Sequence, residues 1–277
     1  MSRQVEIKVL EKDDENLRLL IQGVDVPYMN ALRRIVVSEV PCMAIDEIVM
    51  VENSSVLQDE IIAHRLGLVP LKTDLDMYNL PEECPCKSEF GCNLCRVTLA
   101  LDVESKEGTR PIHSGDLKSE SESVVPVSSK IPIVKLAKEQ KIRLEAYARL
   151  GRGRNHAKWQ PVSMCAYKYF PKITISKKCT VCGKCIEMCP KKVLVKVDNK
   201  IEVRDLMACM LCQDCAEACP EKPSAIEVSG EEDAFIFSLE STGALPPERI
   251  ITEAIKILEK QLKELETDIK VKKSEEE

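Results

Sequence analysis

Between Cys179 and Cys219 the chain carries one cysteine pattern twice. Cys179, Cys182, Cys185 and Cys189 are spaced C-x2-C-x2-C-x3-C and are followed by Pro190. Cys209, Cys212, Cys215 and Cys219 repeat the spacing and are followed by Pro220. Three thiolates set so closely can wrap one corner of a metal–sulfur cluster, while the fourth is carried away on the next turn. Zinc knuckles usually pair two C-x2-C units and have neither the third cysteine nor the C-x3-C-P ending. The alternatives are two iron–sulfur clusters, two zinc sites or a free-thiol region, and the full pattern occurring twice favours the clusters. Small residues such as Gly183 let backbone N–H groups approach the sulfurs.

The pattern resembles that of bacterial ferredoxins with two four-iron clusters. That resemblance implies crossed ligation, with Cys179, Cys182, Cys185 and Cys219 at cluster one and Cys209, Cys212, Cys215 and Cys189 at cluster two. Two 4Fe-4S clusters are expected, and loss of one iron in air would leave one of them 3Fe-4S. Between the runs, Val193, Val195 and Val197, then Ile201 and Val203, flank Asp198-Asn199-Lys200, which reads as a hairpin.

Fourteen cysteines in 277 residues would mean disulfides in a secreted protein. Met1-Ser2-Arg3-Gln4-Val5-Glu6 is charged and lacks the apolar core of a signal peptide. No apolar run reaches the roughly 18–20 residues of a membrane span. A cytoplasmic, reducing compartment is therefore expected, where clustered cysteines read as metal ligands. The formal net charge of −6 makes independent binding of nucleic acid an unfavourable reading. Aromatic residues are 4% of the chain, so its core must be mostly aliphatic.

Val5, Ile7 and Val9, then Leu17, Leu19 and Ile21, alternate with polar residues around the turn Asp13-Asp14-Glu15-Asn16 and predict a hairpin. Met29, Leu32, Val36 and Val40 lie on one helical face, opened by Pro27 and stopped by Pro41. A strand follows over 44–51, then a short helix from Asp59 to Leu66 closed by Gly67. Residues 74–130 read as irregular, with one clear strand at Val97, Leu99, Leu101 and Val103. Strand character returns over 234–239. Pro246-Pro247 then opens a helix of about 24 residues, whose seam is Ile251, Ile255, Leu258, Leu262, Leu265 and Ile269. The charged tail from Lys270 to Glu277 reads as disordered.

Three segments flank the cysteine runs. One is Asn30-Ala31-Leu32-Arg33-Arg34-Ile35 with Val40-Pro41 and Ala44-Ile45. The second is His64-Arg65-Leu66-Gly67-Leu68-Val69-Pro70-Leu71, and the third is Leu239-Glu240-Ser241-Thr242-Gly243 leading into the last helix. With His156-Ala157-Lys158-Trp159-Gln160-Pro161, these resemble the D-type subunits of archaeal RNA polymerase. That family is related to the third-largest subunit of eukaryotic RNA polymerase II and to the bacterial alpha subunit N-terminal domain.

The resemblance implies an α+β fold. A discontinuous polymerase alpha-like dimerisation domain (1–50 and 228–277) would hold an inserted mixed domain (51–169) and a ferredoxin-like iron–sulfur domain (170–227). It implies a non-catalytic assembly subunit of DNA-directed RNA polymerase, itself a nucleotidyltransferase complex. Its partners would be subunit L, the small subunits N and P, and the second-largest catalytic subunit. The apolar face of the first helix and the seam of the last agree, because both need partners.

Cys84, Cys86, Cys92 and Cys95 give C-x-C-x5-C-x2-C, which could hold tetrahedral zinc; free thiols or adventitious disulfides are the alternatives. In the resembling eukaryotic subunit a loop at this position binds zinc, with a different spacing. Cys42 and Cys165 read as small core residues. His64 reads as a surface or interface group, and Lys177 and Lys178 as a solvated face. The basic stretch Arg149, Arg152, Arg154, His156 and Lys158 reads as a subunit-contact loop before a nucleic-acid site. No Gly-rich phosphate loop, Asp-x-Asp-x-Asp triplet or Ser-His-Asp set stands out. The competing function is an electron-transfer subunit of an oxidoreductase.

Overall fold

A computed structural model describes residues 4–88 and 90–275, with side chains described through Lys270. In chain order the elements are β1 (Glu6–Lys12), β2 (Asn16–Gln22), α1 (Val26–Ser38), β3 (Cys42–Asn53), α2 (Asp59–Gly67), β4 (Val97–Glu104), β5 (Arg110–His113), β6 (Lys118–Ser119), β7 (Pro132–Leu136) and β8 (Lys141–Gly151). Then come β9 (Val162–Ile175), α3 (Lys184–Met188), β10 (Leu194–Val197), β11 (Lys200–Val203), α4 (Asp214–Glu217), β12 (Ile226–Ser241) and α5 (Pro247–Glu275). The chain divides into two compact units.

The first unit comprises the chain through Glu11, Arg18–Asn30 and Ala166–Ser238. Its frame is a sheet in the order β1-β2-β12-β9. Strands β9 and β12 are long because they do two jobs. Phe235 of β12 is fully buried, with Tyr167 and Tyr169 of β9 at ring-centroid distances of 5.8 and 5.2 Å. Toward the cysteine runs, Ile173 and Ile175 of β9 and Ile226 and Val228 of β12 pack with Val193, Leu194 and Ile201 in a separate small core. Gly230 sits where an added Cβ would lie 2.6 Å from that of Tyr169, so only glycine fits. The predicted hairpin between the runs is β10–β11, with Val197 opposite Lys200.

The second unit comprises Lys12–Leu17, Ala31–Cys165 and the chain from Leu239 onward. Its sheet has the order β3-β8-β4-β6. Strand β8 is central and has no counterpart among the predicted elements. Its signal is nonetheless present: Ile142, Leu144, Ala146, Ala148 and Leu150 alternate and are all buried. Leu144 pairs with Leu101, and Ala146 with Leu99, so strands β4 and β8 present one apolar face. Ile62 and Leu66 of α2 join this core.

Several expectations change in detail. Helix α1 is capped by Asp25, whose Oδ1 accepts the Tyr28 N–H at 2.9 Å, with Pro27 in the first turn where no donor is needed. Met29, Leu32, Val36 and Val40 are all buried within this one chain, so the predicted α1 face does not await a partner. Gly67 ends α2 without left-handed geometry; the Leu68 N–H bonds back to the His64 and Arg65 carbonyls instead. Residues 74–130 are not wholly irregular, since β5 pairs antiparallel with β7 in a two-stranded sheet and β6 extends the larger sheet beside β4. The tail continues α5 through Glu275, because its Glu and Lys residues are good helix formers and Lys270 pairs with Glu266 one turn back.

Candidate functional site

The two cysteine runs line two small pockets, each partly open to solvent. The first is lined by Cys179, Cys182, Cys185 and Cys219. The second is lined by Cys189, Cys209, Cys212 and Cys215. Each cavity therefore takes three sulfurs from one run and the last from the other.

The backbone repeats with the sulfurs. Val181 and Leu211, each just before the second cysteine of its run, have φ of 54° and 60°. Gly183 and Gln213, each just after it, have φ of 84° and 67°. A left-handed β-branched valine is strained, so its recurrence in an equivalent place signals a loop shaped for something. The outlying sulfurs are also held alike: Cys189 Sγ accepts the Val193 N–H at 3.4 Å, and Cys219 Sγ accepts the Ala225 N–H at 3.3 Å.

Burial, then the neighbouring Cys179 and Cys182 thiols, push Cys185 above the ordinary thiol range. Burial, then Cys189 and Cys212, push Cys215 up to about 11. Four converging thiolates repel one another unless cationic iron stands among them. The soft donor set, the apolar walls and the inward backbone fit a four-iron cluster in each cavity.

Cys84, Cys86, Cys92 and Cys95 bring four sulfurs within 4.8 Å of one another. The Cys84–Cys92, Cys86–Cys95 and Cys92–Cys95 separations are 3.7, 3.8 and 3.9 Å. Tetrahedral zinc with Zn–S near 2.3 Å sets its sulfurs about 3.8 Å apart. Disulfides would need about 2.05 Å, and all four cysteines are unpaired. The Cys92 N–H donates to Cys95 Sγ and the Leu94 N–H to Cys92 Sγ, as thiolate ligands are commonly supported. Gly91, at φ 73°, turns the loop back on itself. This cluster of four cysteines can bind a metal.

Helix α5 carries two apolar stripes. Ile250 and Ala254 are fully buried in the second unit. The predicted seam lies one residue on; its Ile255, Leu262, Leu265 and Ile269 are exposed by 42–57%, while Ile251 and Leu258 are half-buried. Large apolar residues left in water along four turns of helix mark an interface. The helix starts where Ser241-Thr242-Gly243 folds back. Ser241 Oγ donates to the Leu245 carbonyl at 2.6 Å, the Thr242 N–H donates to the Pro161 carbonyl at 3.0 Å, and Gly243 takes φ 83°.

The basic stretch is spent internally. Arg149 and Lys158 both pair with Asp46, Arg152 with Glu83, and Arg154 with Glu39. Trp159 Nε1 donates to the Arg149 carbonyl at 3.2 Å. These pairs leave little free positive charge for nucleic acid. Cys42 is buried beside Thr73, and burial pushes its thiol up to about 11; Cys165 is half-buried and pushed to about 12 by the same cause. His64, Lys177 and Lys178 are exposed. Among the described residues no helix is long and apolar enough to cross a membrane.

Residues 18–262 match the RNA polymerase Rpb3/Rpb11 dimerisation domain. The chain is 44% identical to the DNA-directed RNA polymerase subunit Rpo3 of Archaeoglobus fulgidus, over 94% of this chain and 96% of that protein. It is 46% identical to the same subunit of Methanothermobacter thermautotrophicus, over 92% and 95%. It is 35% identical to the DNA-directed RNA polymerase II subunit rpb3 of Dictyostelium discoideum, over 96% and 95%. The exposed seam of α5 and the turn that launches it thus sit in a chain that belongs to the Rpb3/Rpo3 family of RNA polymerase subunits, built on the alpha-like dimerisation domain.

Proposed function

We propose that this chain is the archaeal D-type subunit (Rpo3) of a cytoplasmic DNA-directed RNA polymerase and acts as a non-catalytic assembly platform. The observation that carries this is the exposed seam of α5, on a chain of the dimerisation-domain family. The seam takes an L/Rpb11-like subunit, and the pair then receives subunits N and P and the second-largest catalytic subunit. In this reading 1–50 and 228–277 form the dimerisation domain, 51–169 is inserted in it, and 170–227 is the ferredoxin-like domain.

Cys179, Cys182, Cys185 and Cys219 hold one 4Fe-4S cluster, and Cys209, Cys212, Cys215 and Cys189 the other. Cys84, Cys86, Cys92 and Cys95 hold zinc. The crossed lining of the two cavities and the sulfur separations in the loop support these assignments. A bound cluster supplies cationic iron that offsets the thiolate charge and fixes the loops. The chain's own part is to aim backbone N–H groups at the outlying sulfurs and to brace both loops on β9 and β12.

The test is purification of the chain from its native source without oxygen, with iron, sulfide and zinc counted and partners identified. Polymerase subunits in stoichiometric yield are the expected result. A flavin or nickel enzyme in their place would instead make this an electron-transfer subunit.

A further inference from the structure

Lys168 of β9 donates from Nζ to the main-chain carbonyls of Met207 and Cys209, both at 2.7 Å. Arg18 of β2 reaches the Met207 carbonyl as well, at 3.4 Å. Strands β2 and β9 lie on either side of β12 in the sheet. Cations from two strands thus converge on the short segment that delivers the first cysteine of the second run.

The arrangement is costly by itself. Lys168 is half-buried, and Arg18, also half-buried, is bonded to the same Met207 carbonyl. Two like charges drawn from water need compensating negative charge. The carbonyl oxygens and the nearby Asp205 carboxylate supply part of it. A four-thiolate cluster, with net negative charge, would supply more. The first cysteine site has a different approach, for Lys177 and Lys178 before Cys179 are exposed to solvent. Both sites rest on β9 and β12, the first through Ile175 and Ile226 and the second through Ile173 and Val228, but the cationic tie from Lys168 and Arg18 goes to the second.

We propose that Lys168, assisted by Arg18, is the positioning residue that couples the second cysteine site to the β1-β2-β12-β9 sheet. Occupancy at that site, and not at the first, sets how firmly β2 and β9 are held around Arg18 and Lys168. The proposal rests on the cluster reading above. When the second site is loaded, Cys209 is fixed, the Met207 and Cys209 carbonyls stay in place and Lys168 is satisfied. When it is empty, that segment is released, and a half-buried ammonium without acceptors draws water to the sheet.

The test uses the full chain, loaded without oxygen. Cys212→Ser disables the second site, Cys182→Ser the first, and Lys168→Met removes the cation while Lys168→Arg keeps it. Iron and sulfide content and the electron paramagnetic resonance of each cluster report occupancy, and amide hydrogen exchange reports the sheet. Cys212→Ser should speed exchange in β2 and β9 by roughly tenfold, the scale of one charge-assisted hydrogen bond. Cys182→Ser should leave β2 and the stretch of β9 around Lys168 unchanged, and act only on the end of β9 at Ile175. Lys168→Met should speed exchange in β2 and around Lys168 with both clusters present, Cys212→Ser should add little on top, and Lys168→Arg should restore protection. Equal effects from the two cysteine variants would overturn the proposal, as would effects of Lys168→Met and Cys212→Ser that simply add. Should Lys168→Met not fold, the contrast between the cysteine variants and the Lys168→Arg result still decides. A wild-type chain without iron or sulfide would refute the cluster reading itself, before any exchange is measured.

Discussion

Cys219 lies on the cavity walled by Cys185, although it ends the run that begins at Cys209. Its serine variant should therefore alter the signal of the cluster held by Cys179, Cys182 and Cys185. Electron paramagnetic resonance on chains that keep only one intact site can show which cluster changes. A change confined to the cluster of Cys209, Cys212 and Cys215 would refute crossed ligation.

The four-cysteine loop should carry one zinc per chain beyond the iron. Cys84→Ser and Cys95→Ser remove buried sulfurs and should each abolish it, with a lower melting temperature for the loop-bearing unit. Elemental analysis after mild chelation is the measurement. Unchanged zinc in both variants would show that the sulfurs converge for another reason.

How much of the fold and the site is legible in the sequence depends on how local the determinant is. The ligand set proposed from Cys179 to Cys219 is read from spacing alone, and the turn at Asp13 and the break at Pro41 are equally local. Strand β8 is hard to read because Ala146 and Ala148 are weak apolar signals, although both are fully buried. The seam of α5 is legible as a stripe from Ile251 to Ile269. That a second stripe at Ile250 and Ala254 is the one buried in the chain is not, because only tertiary packing chooses between adjacent stripes. The same lack of tertiary information makes Met29 and Val36 look available to a partner.

Packing at Gly151 offers a stability test. An added Cβ would lie 2.4 Å from the Trp159 ring, which is itself buried. Gly151→Ala should cost about 1–3 kcal/mol through overpacking. Thermal unfolding of the full chain would read this as a drop of several degrees. A neutral result would mean that Trp159 can leave its place beside Arg149.

The two stripes of α5 separate folding from pairing. Leu262→Asp with Leu265→Asp changes the exposed stripe, so the isolated chain should melt as before while capture of an L/Rpb11-like subunit is lost. Ala254→Asp, at a fully buried position, should instead destabilise the chain by several kcal/mol. Co-expression yield and melting temperature, measured on both variants, give opposite patterns. Retained capture by the Leu262 and Leu265 double variant would remove the seam from the interface.

Assembly should respond to the clusters in two stages. The seam of α5 belongs to the second compact unit, whereas the cysteine runs belong to the first together with β1, β2 and the long parts of β9 and β12. The second unit has its own aliphatic core, from Met43 and Ile45 through Leu144 and Leu150, and needs no cluster to form it. The small core around Val193, Leu194 and Ile201 includes the cysteines themselves, so it should not survive without their ligands. Serine at all eight positions should therefore unfold the segment between β9 and β12 and leave capture of the L/Rpb11-like subunit intact. Docking of the large subunits should then weaken, because the surface ordered by the clusters is gone. Reconstitution in two steps, first with the small partner and then with the remaining subunits, measures each stage separately. Wild-type assembly at both steps would mean the clusters do not govern docking. Failure at the first step would mean that cluster loss reaches the α5 seam itself.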